Sequence, residues 1–404
     1  MIRRLQAIVI AGVLVVAAFS TGWAFLFYLL YLGILILGGS YVAVRLGLTD
    51  LEAGYAVSQL SGHVGDQLRV TYTLRNGSRI PKPWLEAHNP TTIPGSLPGR
   101  AISLGGRQER SWLVRVPLSR RGHFRIEPLH IRTGDPFGFF EASATVGQGV
   151  SVIVYPRLEP LPAWRLPAAS LEGSHASPER TLQTTPLATT VRPYAPGDSM
   201  NRIHWRSTAR LGEIQVKEFE LEQTADAWII LDLQRSAQGG RGANSTTELA
   251  IEAAASIAHK AIGENRAVGM TINAARMAHL PADRGGRQHL KIMQLLAAVE
   301  ADGTAPLIET LVGTMGRLRR GMTAVVITPS VDPAWIRALG ALRARGVACA
   351  VVTLDPAAFE PPADPAEAET AAKRARAIRH ALAEYELPAY VLTPGKALGE
   401  VLAR

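Results

Sequence analysis

The chain has 404 residues, 47% of them apolar and 19% charged, with a formal net charge of +9 at neutral pH. That length supplies two or three cores and excludes a small stapled scaffold, while a charged fraction below the ~25% of an average soluble domain points to a local excess of apolar residues. The lone cysteine, Cys349, lies in the apolar run 347–352, which excludes a disulfide framework and a cysteine-ligated metal cluster. The basic surplus favours an acidic partner, whether anionic lipid, nucleic acid or protein.

Between Arg4 and Arg45 no Asp, Glu, Lys or Arg occurs over 40 positions. A helix crossing a bilayer needs ~20 apolar residues, so the run fits two crossings broken at Ser20-Thr21-Gly22. The expected spans are residues 5–19 and 23–44, a transmembrane hairpin filling residues 1–48, with Trp23 as an interfacial ring. Arg3, Arg4 and Arg45 flank its outer ends. The bias of basic residues toward the cytoplasmic side places both termini and the soluble domains in the cytoplasm, on a multi-pass protein of the inner (plasma) membrane. A cleaved signal peptide would share Arg3-Arg4, the apolar run and Ala17, Ala18 and Ser20, but a second, longer apolar run follows at once.

Across residues 50–156 apolar and polar residues alternate in short runs. Val70, Tyr72 and Leu74 share one face, as do Trp112, Val114 and Val116, and turn signals stand at Asn76-Gly77, Gly105-Gly106, Arg121-Gly122 and Gly134-Asp135-Pro136. About seven or eight short strands in such a length suggest an immunoglobulin-like β-sandwich. Residues 157–190, rich in Pro, Ala and Ser, read as a surface linker.

Beyond it, apolar β-type runs at 227–231, 267–272, 323–328, 347–353 and 389–392 alternate with helical stretches at 246–263, 288–298, 333–345 and 366–385. That order predicts an open, mostly parallel, Rossmann-type sheet wrapped by helices, and makes the whole an α+β multidomain chain. Residues 355–369 hold five acids, four prolines and no base, and read as a solvated acidic insertion.

Catalytic motifs are absent. The Gly395-Lys396 pair is followed by Ala397 rather than Ser or Thr, no H-E-x-x-H or G-x-S-x-G occurs, and His259, His279 and His289 share no helical spacing with carboxylates, so no enzyme is expected. The unusual stretch is 191–220. From Arg180 to Lys217 six Lys and Arg stand against two acids, around Tyr194, Trp205 and a Pro196-Gly197-Asp198 turn. If residues 200–210 are helical, Arg202, Arg206 and Arg210 form one cationic stripe. Either these arginines pair with Asp198, Glu213, Glu218 and Glu220 and brace the fold, or they form a docking face for carboxylates or phosphates.

The pattern R-x-Y-x-x-G-D-x-x-x-R-I-H-W-x-x-[ST]-A-R from Arg192 to Arg210, followed by Val216-Lys217-Glu218-Phe219-Glu220, resembles the signature of the bacterial family catalogued as domain of unknown function 58 (DUF58). The resemblance extends to Arg120-Arg121-Gly122, Gly134-Asp135-Pro136-Phe137-Gly138, Val154-Tyr155-Pro156-Arg157 and the N-terminal hairpin. It implies a membrane-anchored protein whose residues 191–404 combine the signature with a von Willebrand factor A-like domain. It also implies an accessory or assembly role beside a MoxR-type AAA+ ATPase. On this reading Arg192, Tyr194, Gly197, Asp198, Arg202, His204, Trp205, Arg206, Arg210 and Lys217 bind the partner.

Domains resembling von Willebrand factor A often hold a divalent metal through D-x-S-x-S at the end of the first strand, because carboxylate and hydroxyl oxygens suit a hard cation. Here Asp232, Gln234 and Ser236 match, with glutamine at the motif's centre and Thr328-Pro329-Ser330 where a second acid would stand. Mg²⁺ at this degenerate site is the one cofactor to weigh, and none is expected. An adaptor or scaffold is the leading reading. Its rivals are a cryptic metal-dependent hydrolase using Asp232 and Asp198, for which no paired base and nucleophile is visible, and a binder of nucleic acid or anionic surfaces. With aromatic interleaving as thin as Tyr194 and Trp205 among the arginines, no nucleic acid is expected.

Overall fold

Two helices occupy the uncharged N-terminal run, α1 (Ile2–Thr21) and α2 (Ala24–Gly47). Gly22, at φ +63°, breaks them where a β-carbon would be strained, and Phe19 meets Phe27 edge to face across the break at 5.4 Å. The computed structural model describes residues 2–95, 97–167, 190–195, 198, 200–218 and 226–403. Among these, α2 is long and apolar enough to cross a membrane, by length and composition, and the apolar part of α1, Val9–Thr21, is shorter. Helix α2 runs past the expected residue 44 because its last turns are not free: Ser40, Val44 and Gly47, on one helical face, are buried.

The chain forms two compact units, the first built mainly from residues 1–159 and the second mainly from the rest. The first holds ten strands: β1 (Leu51–Val57), β2 (Ser61–His63), β3 (Gln67–Asn76), β4 (Lys82–His88), β5 (Arg100–Leu104), β6 (Glu109–Pro117), β7 (Gly122–Ile126), β8 (Leu129–Gly134), β9 (Glu141–Val146) and β10 (Val150–Tyr155). They form sheets of order β1-β3-β6, β2-β10-β7 and β5-β4-β8-β9, antiparallel except for β2 with β10. Alternate residues of β3, Leu68, Val70, Tyr72 and Leu74, meet Leu85, Leu104, Leu129, Ile131, Val152 and Val154 in one core, so the sheets enclose a β-sandwich. The face read from Val70, Tyr72 and Leu74 is the buried one.

The second unit begins with a correction. Within the expected linker, Leu161, Trp164 and Leu166 are buried, and Thr323 Oγ1 donates to Pro167 O at 2.7 Å, so residues 160–167 belong to a core. Three large apolar side chains in six residues outweigh the local prolines. Residues 168–189, the rest of that stretch, lie outside the described residues.

The signature hairpin, β11 (Thr190–Pro193), α3 (Trp205–Leu211) and β12 (Gln215–Glu218), leads into the α/β fold. Its elements are β13 (Ala227–Asp232), the short strands β14 (Gly240–Arg241) and β15 (Asn244–Ser245), α4 (Thr246–Gly263), β16 (Val268–Asn273), β17 (Ala278–Asp283), α5 (Gly285–Ala298), α6 (Leu307–Thr314), β18 (Thr323–Thr328), α7 (Ala334–Ala344), β19 (Ala348–Leu354), α8 (Pro356–Phe359), α9 (Pro365–Glu384), β20 (Ala389–Leu392) and α10 (Leu398–Leu402). The six-stranded sheet has the order β17-β16-β13-β18-β19-β20 and is parallel except for β17. Every residue of β13, β16 and β18 is buried, which is why these runs carry no alternation.

Where the acidic insertion was expected to be wholly solvated, Asp355 and Asp364 accept from backbone N–H groups and cap α8 and α9, and Phe359 is buried. The edge strand β17 and helix α6 were not anticipated.

Candidate functional site

Strand β13 connects through α4 to β16 on one side, and the chain returns to β18 on its other side. The ends of β13 and β18 therefore flank a topological switch point, the place where open α/β sheets leave a crevice. A cavity of about 320 Å³ lies there, lined among others by Gln234, Ser236, Ile308, Ser330, Asp332 and Trp335.

Strand register builds the floor. Asp232 pairs with Asn273, and Leu231 with Ile327, so the last residues of three adjacent strands, Asn273, Asp232 and Thr328, stand side by side. Asp232 is fully buried. Its Oδ2 accepts from Thr328 Oγ1 at 2.7 Å, and its Oδ1 from Gln234 N at 3.1 Å and Asn273 Nδ2 at 3.2 Å. Burial pushes the carboxyl above the ordinary aspartate range, and these three hydrogen bonds pull against it.

Two residues absent from the sequence reading fix the loop above. Gln238 Nε2 donates to the carbonyls of Asp232 and Gln234, while its Oε1 accepts from Thr246 and Thr247 at the start of α4. Gly303 exchanges backbone hydrogen bonds with Leu233 and Arg235, and a β-carbon there would stand 2.7 Å from Asn273 O. A glutamine six residues beyond the strand carries no sequence signal of such a role.

These residues do not fit a divalent ion. A hard cation takes six or more oxygens. Asp232 is the sole carboxylate of the motif, both its oxygens are engaged by neutral donors, and Gln234 turns its Nε2 toward Ser236 Oγ at 2.9 Å. No group of three or more His, Cys, Asp or Glu side chains suited to a metal occurs among the described residues.

In the signature, β11 pairs antiparallel with β12, Val191 facing Lys217 and Arg192 facing Val216. Arg192 grips Asp198 with two 2.8 Å hydrogen bonds, and Asp198 Oδ2 also accepts from Ala195 N at 2.8 Å, closing the turn. Tyr194 N donates to Ile214 O, continuing the hairpin. His204 caps α3, its Nδ1 lying 2.7 Å from Ser207 Oγ and accepting from Ser207 N. The buried Ile203 bridges to Val216. Asp198 is thus tied to Arg192, and Asp232 to the ends of its neighbouring strands.

The single cationic stripe is corrected. Arg202 ends a separate 3₁₀ turn, Met200–Arg202, because Ile203 must reach Val216 and His204 must cap, so α3 starts only at Trp205. Arg206 and Arg210 remain one turn apart, beside the row Trp205–Ala209, and all four are exposed. Trp205 is 70% exposed, Met200 69% and Leu211 65%. Gly197 and the side chains of Arg202 and Lys217 lie outside the described residues.

Residues 190–379 match the model of the family described as "Protein of unknown function DUF58", from the first residue of β11 into α9. The chain is similar to the uncharacterized protein YeaD of Bacillus subtilis (strain 168), 24% identical over 296 residues, which cover 70% of this chain and 69% of that protein. It is also similar to the uncharacterized protein Rv1480 of Mycobacterium tuberculosis (strain ATCC 25618 / H37Rv), 33% identical over 178 residues, 42% of this chain and 56% of the mycobacterial one. Among solved structures, the CARDB domain of the PF1109 protein from Pyrococcus furiosus aligns over 26% of this chain and 92% of its own, at 14% identity and a TM-score of 0.20. The sandwich described above therefore rests on its own strand order and core.

Proposed function

We propose that the chain is a non-enzymatic adaptor, held in the inner membrane by its N-terminal helical hairpin with both termini and the soluble domains in the cytoplasm, that docks a MoxR-type AAA+ ATPase for complex assembly or envelope maintenance. That the α/β domain is von Willebrand A-like is what the resemblance of the signature implies, and the sheet order and Asp232 at the end of its first strand are compatible with it. The observation that carries the docking reading is the division of labour within the signature. Arg192, Asp198 and His204 are spent on closing the hairpin and capping α3, while Trp205 is 70% exposed beside the exposed Arg206 and Arg210. An exposed tryptophan flanked by arginines is the composition of an interface hot spot, and it suits an acidic, partly apolar partner face.

The test pairs thermal melting with co-purification, using the detergent-solubilised full chain and a MoxR-type AAA+ ATPase of the same organism. Trp205→Ala and Arg206→Ala should melt with the parent and lose capture of the ATPase, and rising salt should loosen the parent complex. Arg192→Ala should instead lower the melting temperature. Variants at Trp205 and Arg206 that bind in proportion to their folded fraction would defeat docking and leave the segment as a brace. A reporter fused at Arg404 and active only in the periplasm would defeat the topology.

A further inference from the structure

The turn joining β8 to β9 meets the end of α2. Helix α2 packs against both strands, and Phe140 lies edge to face on Tyr41 of the helix at 5.6 Å. A β-carbon on Gly47 would stand 3.0 Å from the Thr133 side chain, and the buried Lys82 Nζ donates to Leu46 O at 3.1 Å and Thr49 O at 2.7 Å, capping the chain as it leaves the helix. The sandwich thus holds the C-terminal turns of α2 rigidly.

The turn itself is preorganised. Buried Asp135 accepts from Phe140 N at 2.6 Å and Phe137 N at 3.0 Å, its carbonyl accepts from Gly138 N at 3.1 Å, and Gly138 sits at φ +75°. Instead of folding onto the core, Phe137 is held outward, 52% exposed, its ring stacked near Phe139 at 6.1 Å. Moving such a ring from water into an apolar layer is favourable, by roughly 25 cal/mol for each Å² of apolar surface covered.

Helix geometry says what covers it. At 1.5 Å per residue, the ~30 Å hydrocarbon layer takes ~20 residues, and the interfacial layer beyond it several more. Counted from Ala24, the start of α2, the apolar layer ends near Ala43, just past Tyr41 and before Arg45, whose guanidinium lies 5.6 Å over the Tyr41 ring. The turn that touches Tyr41 therefore lies at the depth of the bilayer's interface, where aromatic rings are favoured and arginines reach the headgroups.

We propose that the β8–β9 turn is a second membrane contact, with Phe137 entering the headgroup layer of the same bilayer that α2 crosses and so fixing the sandwich against the membrane. This rests on the reading of α2 as a span, and the occupant is lipid rather than a protein partner because the turn is continuous with the helix's own boundary.

The test uses the full chain in vesicles of phosphatidylethanolamine and phosphatidylglycerol. Phe137→Cys and, separately, Leu35→Cys carry an environment-sensitive fluorophore, with the parent labelled in parallel to show that buried Cys349 stays unmodified. Lipids bear a quenching doxyl group either near the headgroup or near the chain end. The probe at position 137 should lose fluorescence to the shallow quencher more than to the deep one, and the probe at 35 the reverse. Loss at 35 with none at 137, and strong quenching of 137 by aqueous iodide, would overturn the second contact and leave the span intact. No lipid quenching at either position would sink the span and the proposal together. If the labelled Phe137→Cys chain melts below the parent, a probe at Phe139→Cys reads the same depth, and its protection from iodide decides.

Discussion

Replacing Asp232 with asparagine separates a structural carboxylate from a metal ligand. Asp232 is fully buried among three neutral donors, Thr328 Oγ1, Gln234 N and Asn273 Nδ2. Asp232→Ala strips all three of their acceptor. Asn273 keeps Ala305 O at 2.8 Å, so two donors are orphaned, and at roughly 1–3 kcal/mol each the loss is about 2–6 kcal/mol. Asp232→Asn retains an acceptor for Gln234 and Asn273 and lets the Thr328 hydroxyl turn to accept, while removing a buried charge. It should stay within about 1 kcal/mol of the parent at neutral pH.

The pH dependence has a definite sign. Because burial raises the folded-state pKa of Asp232, its titration contributes stability that is fully present below the unfolded carboxylate value and lost as pH rises through the raised folded value. Asparagine has no such dependence, so Asp232→Asn should gain on the parent between about pH 4 and neutrality. Calorimetric unfolding of the detergent-solubilised full chain across that range measures it. The reasoning fails if Asp232→Asn falls as far as Asp232→Ala at neutral pH. It fails equally if millimolar Mg²⁺ raises the melting temperature of the parent saturably and leaves Asp232→Asn unmoved, since only a ligand of the native state does that.

Two further outcomes follow from the same core. Gly303→Ala drives a methyl to 2.7 Å from Asn273 O and 3.0 Å from Leu233 O, and should cost about 1–3 kcal/mol in the same calorimetric assay, an unchanged melting temperature arguing against the tight loop contact. Burial pushes the Cys349 thiol up to about 12, so iodoacetamide at mildly alkaline pH should alkylate the chain, read by mass, only after denaturation, and rapid stoichiometric labelling of the native chain would show that the thiol is open.

The α/β sheet could be read from the chain because its central strands are buried on both faces, so β13, β16, β18 and β19 appear as mostly apolar runs without a polar alternation. Strand β17 could not. Its sequence AHLPAD carries polar His279 and Asp283 and contains Pro281, which an edge strand tolerates and a central one does not. Helix α6 has eight residues, too few for its period to show. The segment 160–167 was misread for the opposite reason: prolines signalled a loop, while burial of Leu161, Trp164 and Leu166 is decided by a surface that forms only in the fold.

The arginine-rich signature shows why a motif leaves its own chemistry undecided. Arg192, Arg202, Arg206 and Arg210 are equivalent as residues, and their spacing fits both a brace and a docking face. What separates them is tertiary. The β11–β12 pairing brings Asp198 within reach of Arg192, and the Ile203 bridge to Val216 ends the regular spacing before α3 begins. After those constraints are met, Trp205, Arg206 and Arg210 project from a helix whose less exposed side is made by the half-buried Ser207 and Thr208, the latter accepting from Gln215 N at 2.9 Å. Among the described residues, a helix of seven residues anchored through two hydroxyls gives Trp205 no packing partner that requires it to be large and apolar. The same logic holds at Phe137, where a buried aspartate fixes a turn in order to hold a ring outward. In both places the polar residue is explained by the fold and the aromatic beside it stays exposed, which is why the two aromatics, rather than the more numerous arginines, are the residues to change first.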